Sequence, residues 1–289
     1  MHGHATDLPP PHPATDEAPA RQRSDGRVRL RAGPASAGGS TRILDLSESG
    51  PSRLRFPRGQ GALEAVLVNT AGGVACGDTF AIDLDLGPGA DLVLTTTAAE
   101  KIYRSDGPVS RITNRLDLGE GARLAWLPQE TILFDRARVR RRFEADLAPG
   151  AALIAVEIVT FGRAAHGERI AAGLFADAWR VRRAGRLTYA DSLVLEGPIG
   201  DLLARPAIGG GARACATLLD ASADAEARLE EARSLLAAAA SPGLEAAASA
   251  WNGNLVVRAL SAEVGPLRGL VAGFLAGYRR LPMPRVWQS

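Results

Sequence analysis

Apolar and polar residues alternate along most of the chain, from residue 27 to about residue 195. Clear examples are residues 28–31, 42–46 and 52–56, which are separated by segments rich in Gly, Ser and Pro. A period of two residues is typical of a β-strand with one buried face, and the intervening residues are typical of turns. The pattern therefore predicts a mostly β protein.

One short pattern occurs three times in the middle of the chain. Residues 85–92, 117–124 and 146–153 each read Asp-Leu-x-x-Gly-Ala-x-Leu, in which the glycine predicts a turn between two strands. The period is about thirty residues, the length of one hairpin and its return. Repeated hairpins cannot bury their apolar faces alone. We therefore expect stacked β-hairpins in a helicoid or β-solenoid-like array.

The period of the apolar residues changes near the C-terminus. Residues 223–240 and 266–280 carry apolar side chains three or four positions apart, which is typical of amphipathic helices. A strand-like run at residues 255–260 lies between them. Because no linker interrupts the chain after residue 27, we expect one β-rich domain over residues 27–289 with two C-terminal α-helices.

Residues 1–26 are rich in Pro, Ala and acids and contain little that a core would bury. This composition predicts a disordered N-terminal tail. The tail contains His2, His4 and His12, and imidazole is a common metal ligand, so weak binding of a divalent metal stays open. A solvated tail is the favoured interpretation.

Composition and charge exclude several classes of protein. The 289 residues are 46% hydrophobic and 23% charged with a formal net charge of +2, and the arginines are dispersed, so no nucleic-acid partner is indicated. No window approaches eighteen uncharged apolar residues and no secretory signal begins the chain, so we expect no membrane span. Cys76 and Cys215 do not form a disulfide framework in a chain of this length. The expected location is the cytoplasm.

The most distinctive segment is the glycine loop, residues 69–78, which lies between two strand-like runs. Gly72, Gly73 and Gly77 indicate a tight backbone path that a β-carbon would obstruct. A phosphate-binding loop would need a following helix, or Lys and Ser/Thr after the last glycine, whereas Asp78 stands there. The loop is interpreted as a structural corner that carries one acid and one thiol.

Few residues offer catalytic chemistry. His166 is the only histidine after residue 26, and no nucleophile-elbow motif or metal-binding spacing accompanies it. The remaining candidates are acids beside turns, namely Asp78, Glu100, Glu130, Asp135, Glu157 and Glu168. Carboxylates suit weak, exchangeable binding of a divalent cation, but turn capping and pairing with arginines are the favoured interpretation. The residues alone favour a binding or assembly role over catalysis.

Seven further segments stand in order along the chain: Arg-Phe-Pro at 55–57, Val-Asn-Thr-Ala-Gly-Gly with Gly-Asp at 68–78, Thr-Thr with Ala-Glu-Lys and Tyr-Arg-Ser at 95–105, Leu-Pro-Gln-Glu-Thr-Ile at 127–132, Gly-Arg with Gly-Glu at 162–168, Val-Val-Arg at 256–258 and Pro-Arg-Val-Trp at 284–287. Together these segments resemble the UreD family of urease accessory proteins, which is also called UreH. The resemblance covers nearly the whole chain after residue 26, and no single motif would be specific alone. Cys76 departs from the small residue, commonly glycine, that the family has there.

The resemblance implies a β-rich helicoid with two helices and no catalysis by the chain itself. It implies binding to the urease apoprotein and to UreF, which recruits the GTPase UreG, so that nickel passes in transit through an internal tunnel into urease. The corresponding hypothesis places Asp78 and Glu168, with Glu130 and Cys76, near the nickel path.

The same resemblance makes the two helices and the C-terminal segment candidates for the surface that faces UreF. Arg285, Trp287 and Tyr278 are the candidate partner-binding residues, since Trp, Tyr and Arg are common interface anchors. Two other classes of function stay open. One is a β-rich enzyme that uses the glycine loop and Asp78, and the other is a general β-solenoid interaction module unrelated to nickel.

Overall fold

The computed structural model describes residues 23–36, 38–58 and 61–288. Most of the predicted N-terminal tail, including His2, His4 and His12, lies outside the described residues. The first strand begins at Asp25, so it includes Asp25 and Gly26, two residues from the segment expected to form the tail. They extend the strand because both pair in register with the strand that starts at Thr79.

Strands make up 51% of the described residues and helices, including 3-10 turns, 16%, which confirms the prediction of a mostly β fold. The strands in chain order are β1 (Asp25–Pro34), β2 (Thr41–Ser49), β3 (Ser52–Arg55), β4 (Leu63–Asn69), β5 (Thr79–Leu86), β6 (Asp91–Thr96), β7 (Glu100–Ile102), β8 (Ser110–Leu118), β9 (Arg123–Leu127), β10 (Thr131–Leu133), β11 (Arg138–Leu147), β12 (Ala152–Phe161), β13 (Gly173–Arg183), β14 (Arg186–Gly197), β15 (Ala214–Asp220), β16 (Leu244–Trp251) and β17 (Asn254–Ser261). The helices are α1 (Ile199–Ala204), α2 (Leu229–Ala238) and α3 (Val264–Arg279).

The strands form two sheets. Sheet A has the order β14-β13-β11-β8-β5-β1-β2, and sheet B has the order β16-β17-β15-β12-β9-β6-β4-β3, with β10 pairing with β12 and β7. In sheet A the strands β1, β5, β8, β11 and β13 are parallel. In sheet B the strands β4, β6, β9 and β12 are also parallel. Parallel neighbours in both sheets are what a stacked, solenoid-like array requires.

The threefold repeat corresponds to one layer of this stack, which confirms the stacked array. Each glycine turn leads from a strand of sheet A to a strand of sheet B, as β5 to β6, β8 to β9 and β11 to β12. The glycines Gly89, Gly121 and Gly150 have φ of 69°, 65° and 71°, which L side chains rarely adopt. The unit differs from a hairpin because its two strands face each other across the core instead of pairing side by side.

The leucines of the repeat form ladders in the core between the two sheets. Leu118 pairs in register with Leu86 and Leu147 on sheet A, and Leu124 pairs with its repeat equivalents on sheet B. All of these leucines are at most 2% exposed. The repeat aspartates point to the opposite face of sheet A, where Asp117 lies between Asp85 and Asp146. The repeat therefore encodes both the buried and the solvent-facing side of the stack.

The two longer helices cover the outer face of sheet B and agree with the two predicted C-terminal helices. On α3 the buried residues recur three and four positions apart, which places them on one face. They pack in one cluster with residues of β12, β15 and β17. The short helix α1 is an additional element that the apolar pattern does not predict. Within residues 23–36, 38–58 and 61–288, no helix is long and apolar enough to span a membrane.

The stacked leucines predict where this fold is most sensitive to substitution. We expect Leu118→Ala to lower the free energy of unfolding by about 2–5 kcal/mol, because it leaves a cavity in a close-packed core. The neighbouring Asp117→Asn is the control, and it should change stability by less than about 1 kcal/mol because it only removes repulsion from flanking aspartates. Urea denaturation monitored by circular dichroism measures the free energy of unfolding of both variants. Equal losses would contradict the assignment of Leu118 to the core and Asp117 to the solvent-facing side.

Candidate functional site

The glycine loop connects β4 of sheet B to β5 of sheet A and packs closely on the segment after β7. Gly72, Gly73 and Gly77 have φ of 76°, 154° and 83°, values that favour glycine. A β-carbon on Gly73 would lie only 2.5 Å from the ring of Tyr103. The predicted structural corner is thus present, and its glycines are required by backbone conformation and by close packing.

The amides of this loop are largely used inside the chain. A phosphate-binding loop presents several backbone N–H groups to its ligand. Here the N–H groups of Gly72, Val74 and Gly77 donate to the Asn69 carbonyl (3.2 Å), the Lys101 carbonyl (2.7 Å) and the Ser110 hydroxyl (3.1 Å). The geometry agrees with a structural loop and offers no phosphate cradle at these amides.

Asp78 is 3% exposed and caps backbone groups with both carboxylate oxygens. Its Oδ1 accepts a hydrogen bond from the Ser24 N–H and its Oδ2 accepts one from the Ala75 N–H, both at 2.8 Å. Asp78 therefore ties the residues before β1 to the glycine loop. These contacts are those of a turn-capping acid, one of the two interpretations that the sequence left open.

Cys76 lies in the same loop, between two charged groups. Its thiol donates to Asp106 Oδ1 at 3.3 Å, and Arg23 Nη1 lies 3.3 Å from its sulfur. The guanidinium of Arg23 also donates to the Cys76 carbonyl oxygen. One thiol and one carboxylate come together here, beside a cation that offsets the negative charge.

Glu168 and Glu130 each pair with an arginine elsewhere in the fold. The Glu168 oxygens accept from Arg163 Nε and Nη2 at 2.9 Å, and these hydrogen bonds lower the pKa of Glu168. Glu130 Oε2 lies 3.6 Å from Arg268 Nε on α3. Within the described residues, no group of three or more His, Cys, Asp or Glu side chains is arranged to hold a metal ion. The four predicted residues are thus not brought together, and their place on a nickel path stays a prediction.

A buried charged cluster between the two sheets was not predicted as a unit. Arg141 is 6% exposed and bonds at 2.7 Å both to Glu157 on sheet B and to Asp177 on sheet A. The sequence does indicate that Arg141 is buried, because it stands two residues from Val139 and from Phe143, on the apolar face of an alternating strand. Only the tertiary fold places the two carboxylates opposite it.

The protonation of this cluster depends mainly on burial. Burial raises the pKa of Glu157 more strongly than the contact with Arg141 lowers it, and the nearby Asp177 raises it further. Contacts with the two carboxylates raise the pKa of Arg141 despite its burial, so its guanidinium stays charged. Burial also raises the pKa of the adjacent Cys215 thiol to about 12, so that thiol is protonated at neutral pH. The cluster is one cation between two acids in a medium of low polarity.

A small cavity lies beside this cluster and next to a surface groove. The cavity of about 30 Å³ is lined by Glu157, Asp177 and Cys215 among others, which is room for about one water molecule. It shares Cys215 and Asp191 with a surface groove of about 560 Å³. The groove lies where sheet A ends at β14 while sheet B continues through β15, β17 and β16. The interior carboxylates therefore adjoin an open side of the two-sheet stack.

The predicted partner-binding residues are divided by the structure. Trp287 is 5% exposed and its Nε1 donates to the Leu127 carbonyl at 3.0 Å, while Tyr278 is 1% exposed and its hydroxyl donates to Asp220 at 2.7 Å. Both side chains hold the C-terminal elements against sheet B, which corrects their interpretation as surface anchors. Arg285 is exposed and is the one of the three that a partner can reach in this structure.

This division predicts different effects for neighbouring C-terminal substitutions. Trp287→Ala should lower the free energy of unfolding by about 3–5 kcal/mol, because a buried indole and its hydrogen bond are lost. Arg285→Ala should stay within about 0.5 kcal/mol of the parent protein. Thermal unfolding of the two purified variants measures the difference. A Trp287→Ala variant as stable as the parent protein would contradict the anchoring role.

Comparisons with known proteins identify the family of this chain. The family model described as UreD urease accessory protein matches residues 24–288. The chain is 80% identical over 289 residues to Urease accessory protein UreD 1 of Methylobacterium radiotolerans, with both chains fully covered. It is 63% identical over 276 residues to Urease accessory protein UreD 2 of Methylorubrum populi, which covers 94% of this chain and 92% of the relative. The chain therefore belongs to the UreD family of urease accessory proteins, and its role lies in urease maturation.

Proposed function

We propose that this chain is a scaffold that binds the urease apoprotein and UreF, with UreG recruited through UreF, and assists the GTP-dependent insertion of nickel. The proposal rests on family membership over residues 24–288 and on the absence of a nucleophile–base motif in the sequence. In it the chain works in the cytoplasm, performs no catalysis itself, and handles nickel as cargo in transit without a permanently held cofactor.

The observation that supports a nickel route is the buried pair of carboxylates beside a cavity. Oxygen ligands hold divalent cations in an exchangeable way, whereas thiolates hold them more tightly. Glu157 and Asp177 offer oxygens, and the neighbouring Cys215 is a protonated thiol. Arg141 balances the acids when no metal is present. A site with two carboxylates and no thiolate binds nickel in an exchangeable way, which suits a transit site better than a storage site.

The proposed route predicts the effect of a neutral interior. The triple variant Arg141→Met, Glu157→Gln, Asp177→Asn removes all three charges together, because removing the acids alone would leave a buried cation without a partner. After co-expression with urease and its other accessory proteins, we expect nickel per urease to fall at least tenfold, because the route then lacks the carboxylate oxygens that hold the cation. Metal analysis of the purified urease provides the measurement.

The matched control removes an exposed ion pair from the outer face of sheet A. Arg115 and Glu144 lie 3.7 Å apart there, and Arg115→Met with Glu144→Gln should leave nickel loading unchanged. Normal nickel content with the triple variant in intact complexes would reject the interior route. Nickel-loaded urease in a strain that lacks this chain would reject the proposed function as a whole.

The residues predicted from the glycine-containing motifs are tested separately. Asp78→Ala and Glu168→Ala should lower the nickel content of co-expressed urease if these acids line the path. Asp78 also caps two backbone amides, so its variant needs a thermal unfolding measurement beside the metal analysis. Unchanged nickel in intact complexes would remove both residues from the proposed path.

A further inference from the structure

A second, more enclosed pocket lies beside the glycine loop, away from the interior cluster. Its volume is about 140 Å³, and its walls come from the loop at Asn69, Gly72 and Gly73 and from residues 96–101. Pockets that bind small molecules usually have volumes of about 300–1,000 Å³. A space of this size therefore suits the end of one side chain better than a whole small-molecule ligand.

Around Asn69 the acceptor atoms of this pocket outnumber the donors, although Lys101, Thr96 and Thr97 also line it and carry donors. The Asn69 side-chain amide donates at 3.0 Å to the Gly73 carbonyl and at 3.2 and 3.4 Å to the two oxygens of Glu100. One amide group thus serves three acceptor atoms, and a carboxylate has room for about four hydrogen bonds. The Glu100 carboxylate and the Gly73 carbonyl can accept further hydrogen bonds, so a ligand with several donors fits them.

Glu100 is not part of any ion pair among the residues that the structure describes, although Lys101 lines the same pocket with an exposed side chain. The nearby Glu130 is paired with Arg268 of α3. Burial raises the pKa of Glu100 to about 7, against the smaller opposing effects of Asn69 and Lys101. A half-buried carboxylate that forms no ion pair is a place where an added cation gains a charge-assisted hydrogen bond.

A divalent metal fits the pocket less well than an organic cation. Glu100 is the only carboxylate among the lining residues, and the other side-chain oxygens there are neutral. A lysine ammonium or an arginine guanidinium instead brings three to five N–H donors and no acceptor. Those donors match the excess of acceptors around Asn69.

We propose that the Glu100 pocket receives a lysine or arginine side chain from a protein partner in the urease maturation complex. The proposal rests on the proposed function, since it needs a partner that binds this chain. The glycine loop then has a role beyond the corner it makes, because its backbone forms one wall of the recognition pocket.

The test uses the full-length chain, tagged and co-expressed with the urease subunits and the other accessory proteins. We expect Glu100→Gln to reduce the recovery of one partner at least tenfold, whereas Glu120→Gln, in an exposed repeat turn, should leave recovery within twofold of the parent chain. The urea midpoint of the isolated Glu100→Gln chain at pH 8 should equal or exceed that of the parent. The reason is that the ionised Glu100, whose pKa is raised by folding, destabilises the folded chain above pH 7.

A second measurement compares the parent chain free and in complex with its partner. It needs no variant, so it does not depend on the folding of one. Hydrogen exchange at residues 69–73 and 96–101 should slow at least tenfold when the partner is bound. Unchanged exchange at both segments, or full recovery of every partner by Glu100→Gln, overturns the pocket proposal while leaving the nickel results of the proposed function intact. A parent chain that recovers no partner at all overturns both.

Discussion

Close packing between two stacked sheets is the constraint on which the rest of this structure depends. In the repeat region the space between the sheets is filled by leucine ladders such as Leu86, Leu118 and Leu147, all at most 2% exposed. A parallel stack can have this regularity only if every layer returns the chain to the same register. The glycine turns provide that return, since they allow the chain to leave one sheet and enter the other within a few residues.

Where the leucine ladders end, charge occupies the interior. Arg141, Glu157 and Asp177 replace apolar residues near the open side of the stack. Burying such charges is costly unless each is paired with good geometry. Here the Arg141 guanidinium bonds Asp177 on the neighbouring strand of sheet A and Glu157 across the gap between the sheets. The cluster stands at the position where the interior first adjoins a surface groove. This position, rather than the presence of charges alone, connects the fold to the proposed handling of a cation.

The two polar sites differ in how fully their hydrogen-bonding groups are satisfied. At the interior cluster each carboxylate is bonded to Arg141, so both acids have a cationic partner within the chain. At the glycine loop Glu100 accepts hydrogen bonds from the Asn69 amide at 3.2 and 3.4 Å and from the Lys101 backbone, and within the described residues it forms no ion pair. A site whose charges are paired stabilises one state of a scaffold, whereas one without an ion pair gains from a partner. The chain therefore combines an interior cluster whose two carboxylates are paired with Arg141 and a surface pocket whose carboxylate, Glu100, has room for a further donor.

The sequence by itself determined the class of fold, the stacked repeat, both longer helices and the structural nature of the glycine loop, because these follow from local periodicity and from the conformational freedom of glycine. It also carried the family resemblance, which depends on motifs in order and not on their distances. Only the tertiary structure decided that Trp287 and Tyr278 are buried, since amphipathic aromatic residues look alike whether they pack on a neighbouring sheet or on a partner. Likewise, the pairing of Arg141 with Glu157 and Asp177 joins residues up to 36 positions apart. Local patterns do not contain such distances, because strand stacking alone brings those side chains together.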